Sequence, residues 1–186
     1  MKSRLVQSIF IVATLFIGTT SQAQTNKPKM PEAVRDLIKF IGIWESDATI
    51  TIDSVPHKVT YRMNFRKTAD GFGMNMDEGY TDSLLGSLRS ANLVGYNSND
   101  SLIHWSYIDN MGNTRESHGK WTDSDNLRFQ YDSKRNGKKY SEIITYSFHG
   151  NDEFTYKLSA FLESKETKKI TGKFKRKQMA VPVPKK

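Results

Sequence analysis

The chain has 186 residues, 37% hydrophobic and 26% charged, with a formal net charge of +8 and no cysteine. Without cysteine there is no disulfide, no thiolate zinc or iron–sulfur ligation and no cysteine nucleophile, so stability rests on burial alone. The basic surplus gathers between Lys165 and Lys186; it reads as a solvated face and tail, at most a contact for anionic polymers or headgroups, and no nucleic-acid partner is expected.

The first residues have the pattern of an export signal. Lys2 and Arg4 precede an apolar stretch from Leu5 to Ile17, too short to span a bilayer comfortably. Ser21-Gln22-Ala23 then supplies the small residues of a cleavage site. Residues 1–23 are therefore expected to be removed, leaving an exported protein, periplasmic or extracellular, with no transmembrane segment. Residues 24–30 form a polar linker, 31–178 one domain, and 179–186 a proline-bearing tail that stays out of any sheet.

The domain opens with a short helix, expected over 31–41. Pro31 suits the first helical position, and Val34, Leu37, Ile38 and Ile41 recur at helical spacing. Gly42 sits where a left-handed cap is wanted. From Trp44 onward the pattern changes to period two. Trp44, Ser46, Ala48, Ile50 and Ile52 alternate with polar residues, as do Val55, His57, Val59, Tyr61, Met63 and Phe65. Phe72, Met74, Met76, Glu78 and Tyr80 share one face of a third strand. Seven more follow, over roughly 89–97, 102–109, 114–121, 126–132, 139–149, 153–162 and 168–177. Turn sequences such as Asn136-Gly137 and Gly150-Asn151-Asp152 separate them. The longer link 81–88 is expected to be a lid or mouth loop.

About ten short antiparallel strands joined by tight turns define an all-β protein, an up-and-down β-barrel with a short N-terminal helix. Closure removes the exposed edges, and at that strand number the interior is wider than side chains easily fill. A cavity is the expected consequence.

No nucleophile elbow, phosphate loop or dinucleotide fingerprint occurs, so no catalytic residue, metal ligand or cofactor is assigned. Of the four histidines, none is spaced as a metal pair along the chain. Alternation places His57 with Val59 and Tyr61, and His104 with Leu102 and Ile108, so both are expected to point inward; His149 is expected at an exposed strand end. Glu78 and Glu142 fall on otherwise apolar faces, the setting in which a carboxyl pKa rises. Glu116 and His118 share a face. Trp44, His57, Tyr61, Met63, Met74, Met76, Glu78, His104, Glu142 and Tyr146 are thus the candidate ligand-binding residues.

The motifs Phe40-Ile41-Gly42-Ile43-Trp44-Glu45, Leu93-Val94-Gly95-Tyr96-Asn97 and Tyr107-Ile108-Asp109-Asn110-Met111-Gly112 resemble, in order and spacing, a domain-of-unknown-function family of bacterial exported proteins with a calycin-like (lipocalin-like) barrel. The likeness covers 34–177. It implies that Trp44 packs across one end of the barrel and that a small apolar ligand occupies the interior. The similar haem-binding nitrobindin barrels use a histidine on a late strand; this chain has none after His149, so haem is not implied.

The leading expectation is an exported barrel that binds a small lipophilic or amphipathic molecule. One alternative is an enzyme with Glu78 or Glu142 as acid, which requires His57 or His104 within hydrogen-bond reach. The other is a filled barrel acting through its surface as an envelope interaction protein.

Overall fold

The computed structural model describes residues 30–177. The export signal 1–23, residues 24–29 of the linker and the tail 179–186 lie outside the described residues. Ten antiparallel strands close into one barrel: β1 (Gly42–Ile52), β2 (Val55–Thr68), β3 (Gly73–Asp82), β4 (Gly86–Asn97), β5 (Leu102–Asp109), β6 (Thr114–Trp121), β7 (Asn126–Arg135), β8 (Lys138–Phe148), β9 (Glu153–Leu162) and β10 (Lys165–Lys177). Each pairs with its neighbour in sequence, and β1 meets β10 to complete the ring. The closing register sets Ile50 opposite Ile170 and Glu45 opposite Lys175. No helix among the described residues is long and apolar enough to cross a membrane.

The preceding helix departs from the expected form. Only Glu32–Asp36 (α1) is α-helical; Leu37–Phe40 tighten into a 3₁₀ turn. Three residues per turn put every third side chain on one line, so Val34, Leu37 and Phe40 are buried while Ile38 is 56% exposed. Pro31 is the N-cap, its carbonyl accepting the N–H groups of Val34 and Arg35 at 3.1 Å each. Gly42 opens β1 instead of capping the helix. Its φ is +133°, a backbone conformation that favours glycine.

That turn plugs one end of the barrel. Phe40 enters the core with ring centroids 5.0 Å from Phe65, 4.9 Å from Tyr146 and 4.8 Å from Phe148. Trp44 crosses the same end, its indole N–H donating to the Phe40 carbonyl at 2.6 Å. Arg176 lies 4.2 Å over the Trp44 ring and donates to the carbonyls of Ile41, Lys39 and Asn151. A planar cation with five donors can satisfy the loose carbonyls at the plugged end and stack on the ring at once.

The link expected to be a lid is a tight hairpin. Strand β3 runs on to Asp82 and β4 begins at Gly86. The Asp82 carboxylate accepts the backbone N–H groups of Leu84 and Leu85, both at 2.8 Å, closing the turn locally. The apolar Leu84 and Leu85 that suggested a mouth loop sit at its tip, with Leu84 81% exposed.

Candidate functional site

Because the strands alternate in direction, the interior is layered. The starts of odd strands and ends of even strands form the plugged end; the opposite termini form the open one. The plugged half is solid: Trp44, Met63, Met74 and Met76 are buried there with Phe40, Phe65, Phe129, Phe154 and Phe174. The residual void among Phe40, Met74, Met76, Trp105 and Phe129 is only about 10 Å³, below what a small molecule occupies. These four candidate residues belong to the core.

The middle layer is polar and buried. Glu78 accepts the Tyr61 hydroxyl at 2.9 Å and the Ser90 hydroxyl at 3.0 Å. Asn92 donates to the Ser90 hydroxyl at 3.0 Å and accepts the Trp105 indole N–H at 2.8 Å. The result is a chain of contacts from Trp105 to Tyr61 across four strands. Burial pushes the Glu78 carboxyl pKa up, while Arg115 and the bonds from Tyr61 and Ser90 pull it part of the way back. Tyr146 is fully buried in this layer, beside Tyr156 at 5.1 Å between centroids, and its hydroxyl has no hydrogen-bond partner among the described residues.

The open end is a cavity of about 510 Å³, lined by Leu88, Tyr107, Arg115, Tyr131, Tyr140, Glu142 and Lys168 among others. A broader concavity of about 750 Å³ over Arg62, Asp77, Arg89 and Ile108 draws largely on outward-facing residues of the twisted wall, and it is shallower. Within the mouth, Arg115 pairs with Glu142, whose other oxygen accepts the Tyr140 hydroxyl at 2.5 Å. Arg115 also lies 4.1 Å over the Tyr107 ring, and Arg135 lies 3.6 Å over Tyr140. Burial works against the charge of Arg115, but Glu142 and the neighbouring acidic groups hold its pKa above the ordinary value.

Lys168 is different. It projects from β10 on the face that carries Ile170 and Phe174, into the mouth. No hydrogen bond or ion pair engages its ammonium among the described residues. Burial holds its pKa below the usual lysine range; Glu142 and Glu78 counter that, and Arg115 adds to it. The basic cluster of the last strand therefore divides, with Lys168 inside and Lys173 and Lys177 outside, paired with Glu153 and Glu45 at 2.8 and 2.7 Å.

Of the candidate residues, the structure brings together Tyr61 with Glu78, and sets Glu142 in the mouth. His57 is half-buried at the open rim, opposite Ile50. His104 is misplaced by the sequence pattern. The inward residues of β5 are Ile103, Trp105 and Tyr107; His104 faces outward, bonded to Asp100 at 2.7 Å and Glu116 at 3.0 Å. Parity failed because Leu102, at the strand's edge, is half-buried on the outer side, while the far larger Trp105 fills the interior. Neither Glu78 nor Glu142 has a histidine within hydrogen-bond reach among the described residues. Sequence reading missed Arg115 and Lys168, which look like ordinary surface cations until closure turns their strands' faces inward.

The fold and site define a closed up-and-down β-barrel with ten strands, a plugged aromatic end, a buried polar layer and a cationic mouth. No protein-family model and no curated protein matches the sequence.

Proposed function

We propose that this is an exported barrel whose open mouth binds a small amphipathic anion, its acidic head against Lys168 and Arg115 and its apolar body among Leu88, Tyr107, Tyr131 and Tyr140. The observation that carries this reading is the inward ammonium of Lys168, which has no counter-charge in contact among the described residues. A half-buried charge without a partner is costly, and an incoming carboxylate supplies one. A volume of about 510 Å³ lies in the range of small-molecule sites, and the lining is mainly polar and charged, with Leu88, Tyr107, Tyr131 and Tyr140 supplying the apolar surface. The filled plugged end limits the ligand to the outer half of the barrel. Export rests on the N-terminal pattern, Lys2 and Arg4 followed by the apolar stretch and Ser21-Gln22-Ala23.

Calorimetric titration with octanoate and octanol tests the binding. The carboxylate should bind more tightly than the alcohol, and Lys168→Met should lower its affinity by about tenfold to a hundredfold, the worth of one charge-assisted hydrogen bond. Equal binding of acid and alcohol, or an octanoate affinity unchanged in Lys168→Met, overturns the proposal. N-terminal sequencing of protein recovered from cells tests export, with Gln24 as the expected first residue.

A further inference from the structure

The outer wall holds a second constellation, unrelated to the mouth. Strands β5 and β6 pair so that His104 lies directly opposite His118, and Ser106 opposite Glu116. Glu116 is thus the diagonal neighbour of His104 and sits two residues before His118 on the same face. The two imidazole rings meet edge to face with centroids 4.3 Å apart. Glu116 Oε1 lies 3.0 Å from His104 Nδ1 and 3.9 Å from His118 Nε2. One ligand atom from each of the three residues falls within 4.8 Å of the others.

We infer that His104, His118 and Glu116 form a binding site for a divalent transition metal of the zinc class on the outside of the barrel. Two imidazoles and a carboxylate are ligands that such ions take, at about 2.0–2.2 Å each. Ligands at that range around one ion stand roughly 3.0–3.7 Å from one another, so the observed spacing needs only small side-chain rotations. The strand backbones already hold the three residues on one patch.

A supporting group is also in place. Asp100 Oδ2 lies 2.7 Å from His104 Nε2, the ring nitrogen that faces away from Glu116. Metal-ligating histidines characteristically donate their other N–H to a carboxylate, which fixes the tautomer and aims the ligand nitrogen. Asp100 is itself anchored, accepting the Leu102 N–H at 2.9 Å and an Asn97 amide N–H at 3.3 Å. With Nε2–H directed at Asp100, Nδ1 of His104 is the nitrogen presented to the ion. Gly95 lies opposite His104 on β4, and nothing lies within 4 Å of where its Cβ would stand. That side of the site is open, leaving coordination positions for water.

The test uses the protein purified without a histidine tag, titrated with zinc by calorimetry. One equivalent should bind, and His104→Ala or His118→Ala should each abolish it or weaken it at least tenfold. Asp100→Asn should weaken it about 10–100-fold, the usual consequence of removing such a supporting carboxylate. His57→Gln and His149→Gln should bind as the parent does. Failure of the parent to take up zinc, or unchanged affinity in His104→Ala and His118→Ala, overturns the inference. Copper(II) electron paramagnetic resonance on the unmutated protein gives an answer independent of any variant's folding. Superhyperfine coupling to two nitrogens is expected, and a spectrum with no imidazole nitrogen overturns it.

Discussion

Replacing Arg115 with methionine removes the only cation in contact with Glu142 among the described residues, and the structure sets the size of the result. The two side chains are 14% and 6% exposed, so solvent screens the pair little. Glu142 would keep the Tyr140 hydroxyl as its one remaining donor among the described residues. Breaking a buried pair by removing one partner costs about 3–5 kcal/mol, because the surviving charge stays desolvated. Methionine retains most of the apolar volume against the Tyr107 ring, so little of that cost is a packing loss. With a urea dependence of about 2 kcal/mol per molar, the unfolding midpoint should fall by roughly 2 M. The emission of Trp44, Trp105 and Trp121, all packed against the core, reports the transition. The companion variant sharpens the reasoning. Arg115→Met combined with Glu142→Gln removes the stranded charge and should recover most of the loss, to within about 1 kcal/mol of the parent, since buried pairs contribute little net stability over neutral replacements. A single variant as stable as the parent, or a double variant whose loss is the sum of the two singles, refutes a buried, coupled pair in the barrel mouth.

Glu78→Gln tests the buried middle layer through pH. The folded pKa of Glu78 lies above its unfolded value, so its contribution is full below about pH 4.3, the ordinary glutamate value, and is lost as pH rises through the folded pKa. The amide should therefore gain stability relative to the parent as pH is raised from 4 to 8, in denaturation curves run side by side; a difference flat with pH, or of opposite sign, rejects the assignment. Phe40→Ala tests the plug. A fully buried aromatic truncated to alanine costs about 3–5 kcal/mol, and at about 2–4 °C per kcal/mol for a domain of this size the melting temperature should fall by roughly 6–20 °C. A shift under 2 °C would mean that Phe40 rests on the barrel end without sealing it.

The strands were legible because each must present one face to a core and the other to water, which writes a period of two into the chain. Leu102–Asp109, Thr114–Trp121 and Glu153–Leu162 have the bounds that this pattern gives. Errors cluster where the period is weak or short. Val34, Leu37, Ile38 and Ile41 recur at helical spacing, but the 3₁₀ turn buries Val34, Leu37 and Phe40 instead. Link 81–88 read as a loop because Leu84, Leu85 and Gly86 break alternation, yet Asp82 folds it into a hairpin. The interior methionines were identified as inward, but whether inward meant lining or filling depended on Phe40 arriving from outside the sheet.

The sequence by itself determined the number of strands, their antiparallel succession and the closed barrel, since these follow from local alternation and turn chemistry. Tertiary structure alone decided which end is plugged, where free volume remains and which charges face it. Lys168 and Lys169 differ by one position, and alternation with Ile170 and Phe174 sends one inward and the other out; only closure of the barrel sets Lys168 in one mouth with Arg115 and Glu142. The histidines make the same point. His104 and His118 are fourteen positions apart, outside any metal-binding spacing along the chain, and become neighbours only because antiparallel pairing folds the chain back at Asp109–Asn113. Local periodicity records which face a residue occupies; what stands beside it is fixed by pairing between strands, which no single strand encodes.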